Sequence, residues 1–176
     1  MIKREKLIIS GKSGSGKDFL LRELKKIGLN PSVKITTRPK REFEIDGVNY
    51  HFKTQDEFKK IIESNGLIVN QEFLNDKGDI WNYGISIDDF SNNQVFIMTP
   101  GEISQINSED RKNCFVVYLD IDRSVRESRL LTRNDLNDSV KRRLDSDELD
   151  FSKFTDYDLR ITYPYFDTDL IFDLMV

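Results

Sequence analysis

Residues 6–28, "KLIISGKSGSGKDFLLRELKKIG", constrain the fold more than any other stretch of the chain. A short apolar run stopped by glycine reads as a buried strand. Phe19, Leu20, Leu24 and Ile27 then fall at helical spacing, and Gly28 and Pro31 close the pattern. Between strand and helix lies "GKSGSG", in which Gly11, Gly16 and the following Lys17 fill the fixed positions of G-x-x-x-x-G-K-S/T. The chemistry needs glycine there, so that consecutive backbone N–H groups can curl around phosphate oxygens without side chains in the way. The helix that follows turns its positive end toward the same anion, and Lys17 supplies a mobile cation. Gly11, Ser13, Gly14, Ser15, Gly16, Lys17 and Asp18 are therefore the expected contacts of an ATP-type donor. Asp18 stands where the pattern has a hydroxyl. A carboxylate is a good Mg2+ ligand, directly or through metal-bound water. It is also favoured in a helix's first turn on its own account. The loop identifies a nucleotide site and leaves the reaction open.

The remaining pattern is that of one α/β domain of 176 residues. "QVFIMTP" and "CFVVYLDI" are continuous apolar runs, as in central parallel strands covered on both faces. Between residues 33 and 90 lie the strand-like "SVKITTRP", "GVNYHF", "LIVNQEF" and "WNYGISI". "TQDEFKKIIESNG" in the same stretch opens with a helix cap and has an apolar face at Phe58, Ile61 and Ile62. This predicts an inserted lobe, about 33–90, with a small sheet on a phosphate-loop core of 1–32 and 91–176. "DRSVRESRLLTRN" and "SVKRRLDSDELDFSKF" read as arginine-rich helices, and "LRITY" and "LIFDLM" as late strand or helix pieces. A formal charge of −4 argues against broad nucleic-acid binding but leaves room for a local basic pocket. One cysteine, Cys114, excludes an internal disulfide and reads as a buried hydrophobe. "MIKREKLIIS" is too short in apolar residues for a signal peptide, and no stretch approaches a membrane span. The expectation is a soluble cytoplasmic protein with no membrane or obligate protein partner.

A second constellation, "KITTRPKREFEIDGVNYHF" at 34–52, raises the specificity. Two arginines three apart beside a tyrosine make a fork-shaped cationic grip for a phosphate dianion. The segment resembles the monophosphate-binding pattern T-T-R-x-P-R-x-G-E-x-x-G-x-x-Y-x-F of guanylate kinases. Thr36, Thr37, Arg38, Arg41, Glu44, Gly47, Tyr50 and Phe52 sit at that spacing without a gap. The proline has moved to Pro39, and Phe43 replaces a glycine. The resemblance implies that Arg38, Arg41, Tyr50 and Tyr83, with Glu44, serve the acceptor's phosphate. It also implies a mobile lid, about 129–145, whose Arg129, Arg133 and either Arg142 or Arg143 close on the phosphates. "RND" replaces the lid's usual arginine–glycine–threonine, and the spacing to Arg143 is one residue short.

The departures concentrate where the base is read. Guanylate kinases place a serine four residues before the first arginine and a glutamate in F-I/L-E-W; here Lys34 and Val69 stand there. Ile85 replaces the small hydroxyl residue after the tyrosine–glycine pair. The acids expected at the end of the "VFIMTPG" strand are Met98, Thr99 and Pro100. Lys34 is a candidate donor to a base carbonyl, and Glu72, three residues beyond Val69, replaces the lost acceptor only if the backbone path shifts. The resemblance implies ATP- and magnesium-dependent phosphorylation of a nucleoside monophosphate, GMP or dGMP first. The alternatives are another or modified nucleotide and a non-catalytic binding module.

Overall fold

The computed structural model describes residues 4–75, 77–133 and 139–175. In chain order the first elements are β1 (Lys6–Gly11), α1 (Lys17–Lys26), β2 (Ile35–Thr36), β3 (His51–Phe52) and α2 (Gln55–Glu63). There follow β4 (Leu67–Leu74), β5 (Ile80–Ser86), α3 (Ile87–Asn92), β6 (Val95–Ile97), α4 (Pro100–Ile103) and α5 (Ser108–Lys112). The chain ends through β7 (Cys114–Leu119), α6 (Arg123–Arg133), α7 (Val140–Asp150), β8 (Leu159–Ile161) and α8 (Thr168–Met175). These elements fall into two units, Met1–Pro31 with Gln94–Val176, and Ser32–Asn93.

The first unit is built on a four-stranded sheet in the order β6-β1-β7-β8, parallel throughout. Every residue of β1 after Lys6 is buried, as its unbroken apolar run requires. Leu7 and Ile9 pack with Val95, Val117 and Leu119 from the neighbouring strands and with Leu20 and Leu24 of α1. Each such buried leucine contributes about 1.5–3 kcal/mol of hydrophobic stabilisation. The helical face predicted for α1 is narrower than expected: Phe19 is 46% exposed and Ile27 50%. Residues four apart share a stripe, so Leu20 and Leu24 are the fully buried residues of α1, with Leu21 partly buried against the same core. Phe19 instead meets Phe166 edge-on, 6.2 Å between centroids. The "LIFDLM" segment resolves as helix α8, with Ile171 in the core cluster.

The second unit is a small mixed sheet in the order β3-β2-β5-β4. β2 runs parallel to β3 and antiparallel to β5, and β4–β5 is an antiparallel ladder. "GVNYHF" contributes only His51 and Phe52 as strand; Gly47 takes a φ of 76° and Asp46 bridges to Tyr50. α2 carries the capping box its sequence announces, Thr54 accepting the Glu57 N–H and Glu57 accepting the Thr54 N–H. Among the described residues no helix is long and apolar enough to cross a membrane.

Candidate active site

The phosphate loop occupies the turn from β1 into α1. Gly14 and Gly16 have φ values of 77° and 107°, a region that side chains other than glycine seldom enter. At Gly14 space forbids a side chain as well, since a Cβ would lie 2.7 Å from the Arg126 carbonyl oxygen. A Cβ on Gly11 would lie 2.7 Å from Ser15 Oγ. Lys17 folds back over the loop, its Nζ donating to the Gly11 carbonyl at 2.5 Å and the Lys12 carbonyl at 3.1 Å. Ser15 N–H donates to the Lys12 carbonyl at 3.1 Å. Ser15 Oγ is buried without a hydrogen-bond partner among the described residues, a polar atom held inside the loop's curl. Asp18 is exposed in the first turn of α1.

Charged residues from α6 and α7 brace this loop. Ser13 N–H donates to Asp147 Oδ2 at 2.6 Å, and Lys12 Nζ to Glu148 Oε2 at 2.6 Å. Arg126, 1% exposed, donates to Glu148 at 2.5 Å and to the Ile121 carbonyl at 2.9 Å. Burial alone would raise the Glu148 pKa, but Lys12 and Arg126 outweigh it and hold the carboxyl below its ordinary value. Arg129 donates to the Gly14 and Ser15 carbonyls at 3.1 and 3.2 Å and to the Pro164 carbonyl at 3.0 Å. It thus grips the loop's own backbone, a setting the sequence does not suggest. Beside it opens a cleft of about 470 Å³, where Phe19, Phe166 and Pro164 face Ser128, Arg129 and Thr132.

Of the expected lid, Arg133 ends α6, its side chain lying outside the described residues, as do residues 134–138. Arg142 and Arg143 stand half-buried in the first turn of α7, which Ser139 caps. Asp145 pairs with Arg123 of α6 at 2.6 Å.

In the second unit Arg38, nearly buried, donates to Glu44 Oε1 at 2.6 Å and to the Pro39 carbonyl at 2.8 Å. Glu44 Oε2 accepts the Arg41 N–H at 2.8 Å, so one carboxylate fixes both arginines of the fork. Burial alone would raise the Glu44 pKa; Arg38 and the Arg41 amide outweigh it and hold the carboxyl low. The Arg38 guanidinium lies over the rings of Tyr50 and Phe52, at 5.3 and 5.7 Å. Tyr50 and Tyr83 meet edge-on at 6.0 Å. Burial pushes the Tyr83 phenol above its ordinary pKa against the opposing pull of Arg38. Arg38, Tyr50 and Tyr83 therefore come together although far apart in sequence.

Across β4 and β5, Val69, Gln71 and Phe73 lie opposite Ile85, Tyr83 and Trp81. Strand side chains alternate, so these six share one face and Glu72, opposite Asn82, projects from the other. The register irregularity falls between Leu67 and Val69, before Glu72, so no bulge turns Glu72 back. Val69 and Ile85 are each 1% exposed. Lys34 is half-buried, its carbonyl accepting the His51 N–H at 2.8 Å.

Comparison with known proteins gives the family and the fold. Residues 3–162 match the sequence model of guanylate kinase. The chain belongs to the guanylate kinase family. A guanylate kinase of Rickettsia typhi is 43% identical over 72 residues, 40% of this chain and 36% of that protein. One from Sulfurimonas denitrificans is 52% identical over 59 residues, 32% of this chain and 29% of that protein. These matched stretches span only about a third of the curated relatives' length. The crystal structure of guanylate kinase from Anaplasma phagocytophilum shares the fold, with a TM-score of 0.68 at 17% identity. That likeness covers 98% of this chain and 83% of the other.

Proposed function

We propose that this member of the guanylate kinase family transfers the terminal phosphoryl group of ATP to a nucleoside monophosphate, releasing ADP and the diphosphate. The observation that carries the reading is that one chain builds two different anion grips. One is a backbone cradle at Gly11–Asp18, and the other a guanidinium fork at Arg38 and Arg41 pre-oriented by Glu44. In such a reaction the protein aligns and neutralises; it does little covalent chemistry.

Gly14, Ser15, Gly16 and Lys17 hold the donor phosphates, Lys17 exchanging the Gly11 and Lys12 carbonyls for phosphate oxygens. Phe19, Phe166 and Pro164 offer flat apolar faces to the donor's base. Arg38, Arg41, Tyr50 and Tyr83 hold the acceptor phosphate; Glu44 orients them, since a carboxylate in contact with a dianion repels it. Arg129 steadies the loop, and Arg133 and Arg143 serve the transferring group. Among the described residues no cluster of three His, Cys, Asp or Glu could hold a metal. The single exposed carboxylate of Asp18 suits Mg2+ that arrives on the donor phosphates and keeps most of its water. The ion belongs to the MgATP substrate, with Asp18 as a contact directly or through water.

GMP and dGMP are the first acceptors to test. Val69 and Ile85 favour a second reading, a different or modified base, because buried apolar side chains leave guanine's N–H groups without an acceptor. Lys34 stays as the base-reading candidate, and Glu72 is set aside by its place on the other face. A coupled ADP-release assay with MgATP and a panel of ribo- and deoxynucleoside monophosphates decides. Turnover with GMP or dGMP alone supports the first reading and turnover with another base the second. ATP binding without turnover on any monophosphate overturns both in favour of a binding module.

A further inference from the structure

We propose that Asp147 and Glu148 are positioning residues that tie α7 to the phosphate loop and so set where Arg143 stands during transfer. The proposal rests on the kinase reading above. Two successive carboxylates of α7 reach two successive residues of the loop, Asp147 the Ser13 amide and Glu148 the Lys12 ammonium, each at 2.6 Å. Charge-assisted hydrogen bonds of this length are about twice as strong as neutral ones.

Arg126 is the fixed point of the arrangement. Its backbone fills the space that Gly14 leaves open, and its buried guanidinium bonds Glu148 and lies 3.9 Å from Asp147. Any shift of α7 therefore strips partners from a buried cation, which is costly. α7 runs unbroken from Val140 to Asp150. Arg143 and Asp147 are four residues apart and share one face of it, about 6 Å along the axis. Asp147, which takes the Ser13 amide, thus shares its stripe of α7 with Arg143 and not with Arg142, five residues away. Two consequences follow for the donor site. The Ser13 N–H is occupied by Asp147, so that amide is not one the loop offers to phosphate. And the loop and the arginine move as one piece.

The test pairs kinetics with hydrogen exchange on the full chain. Asp147→Ala is expected to lower kcat about 10- to 100-fold, the scale of an ångström's misplacement of a reacting group. The dissociation constant for MgATP should change less than threefold. Asp147→Asn keeps an oxygen for the Ser13 amide and should recover most of kcat. Asp145→Ala, on α7 like Asp147, breaks only the surface pair with Arg123 of α6; it should leave kcat unchanged and controls for loss of helix stability. In Asp147→Ala the peptides spanning 12–16 and 140–150 should both exchange faster.

Wild-type kcat in Asp147→Ala overturns the proposal, and so does tighter MgATP binding, which would make the carboxylate a competitor of phosphate. Failure of Asp147→Asn to recover activity overturns it too. Unchanged exchange in Asp147→Ala removes the tether itself, whatever the chemistry. A wild-type protein that turns over no monophosphate while Asp147→Ala exchanges faster at both segments overturns the kinase reading and leaves the tether standing.

Discussion

The donor loop and the acceptor grip both bind phosphate in this reading, yet they are made of different material. The loop is backbone: its shape comes from glycines at φ 77° and 107° and from the start of α1. The grip is side chain: a nearly buried guanidinium, the carboxylate that orients it, and two aromatic rings. A backbone cradle tolerates changes in the side chains around it, which is why Asp18 can stand in place of a hydroxyl. A buried ion pair does not tolerate loss of one member, because the survivor keeps its desolvation cost without its partner.

That contrast is open to breakage at its strongest point, Arg38. Arg38→Ala leaves Glu44 without its main partner and is expected to cost about 3–5 kcal/mol of stability. Thermal or denaturant unfolding measures this, and a loss under 1 kcal/mol would show that the grip is as tolerant as the loop. Lys17→Ala, by contrast, should leave the fold intact and lower kcat by about 10²–10³-fold, the usual scale for removing one group that stabilises the transition state. Steady-state rates beside a melting curve separate the two behaviours.

Acid sharpens the same comparison. Glu44 has its carboxyl held below the ordinary 4.5, so its folded state binds fewer protons than its unfolded one. Its contribution is complete above that ordinary value and is lost as pH falls through the lowered one. Wild-type stability should therefore drop below about pH 4.5 more steeply than that of Glu44→Gln, as melting temperatures across pH 3–7 will show. The smallest effect is expected at Asp18. Asp18→Ser should keep magnesium-dependent turnover within about threefold or improve it, since the hydroxyl is a ligand of the same hard-oxygen type. A hundredfold loss would mean that the carboxylate holds the ion directly.

The differences between spacing and placement have a common cause. Phe19 reads as core in a helical projection but is half exposed, because α1 turns the stripe of Leu20 and Leu24, flanked by Leu21, to the core. Glu72 can replace a lost acceptor at Val69 on paper, but strand alternation sends it to the opposite face. Arg129 reads as a lid residue by position, whereas it grips three backbone carbonyls. In each case the residue type was legible and its direction was not.

Sequence alone determined what depends on neighbours along the chain. The phosphate loop, the helix cap at Thr54, and the parallel strands announced by unbroken apolar runs are all of this kind. Local sterics and hydrogen bonds span a few residues, so spacing encodes them. Only the tertiary structure decided that Tyr83 meets Tyr50, that Arg126 is buried beneath Gly14, and that Asp147 takes the Ser13 amide. Those contacts join residues from 33 to 134 positions apart. They exist because packing brought the elements together, and buried charges then had to find partners among whatever arrived.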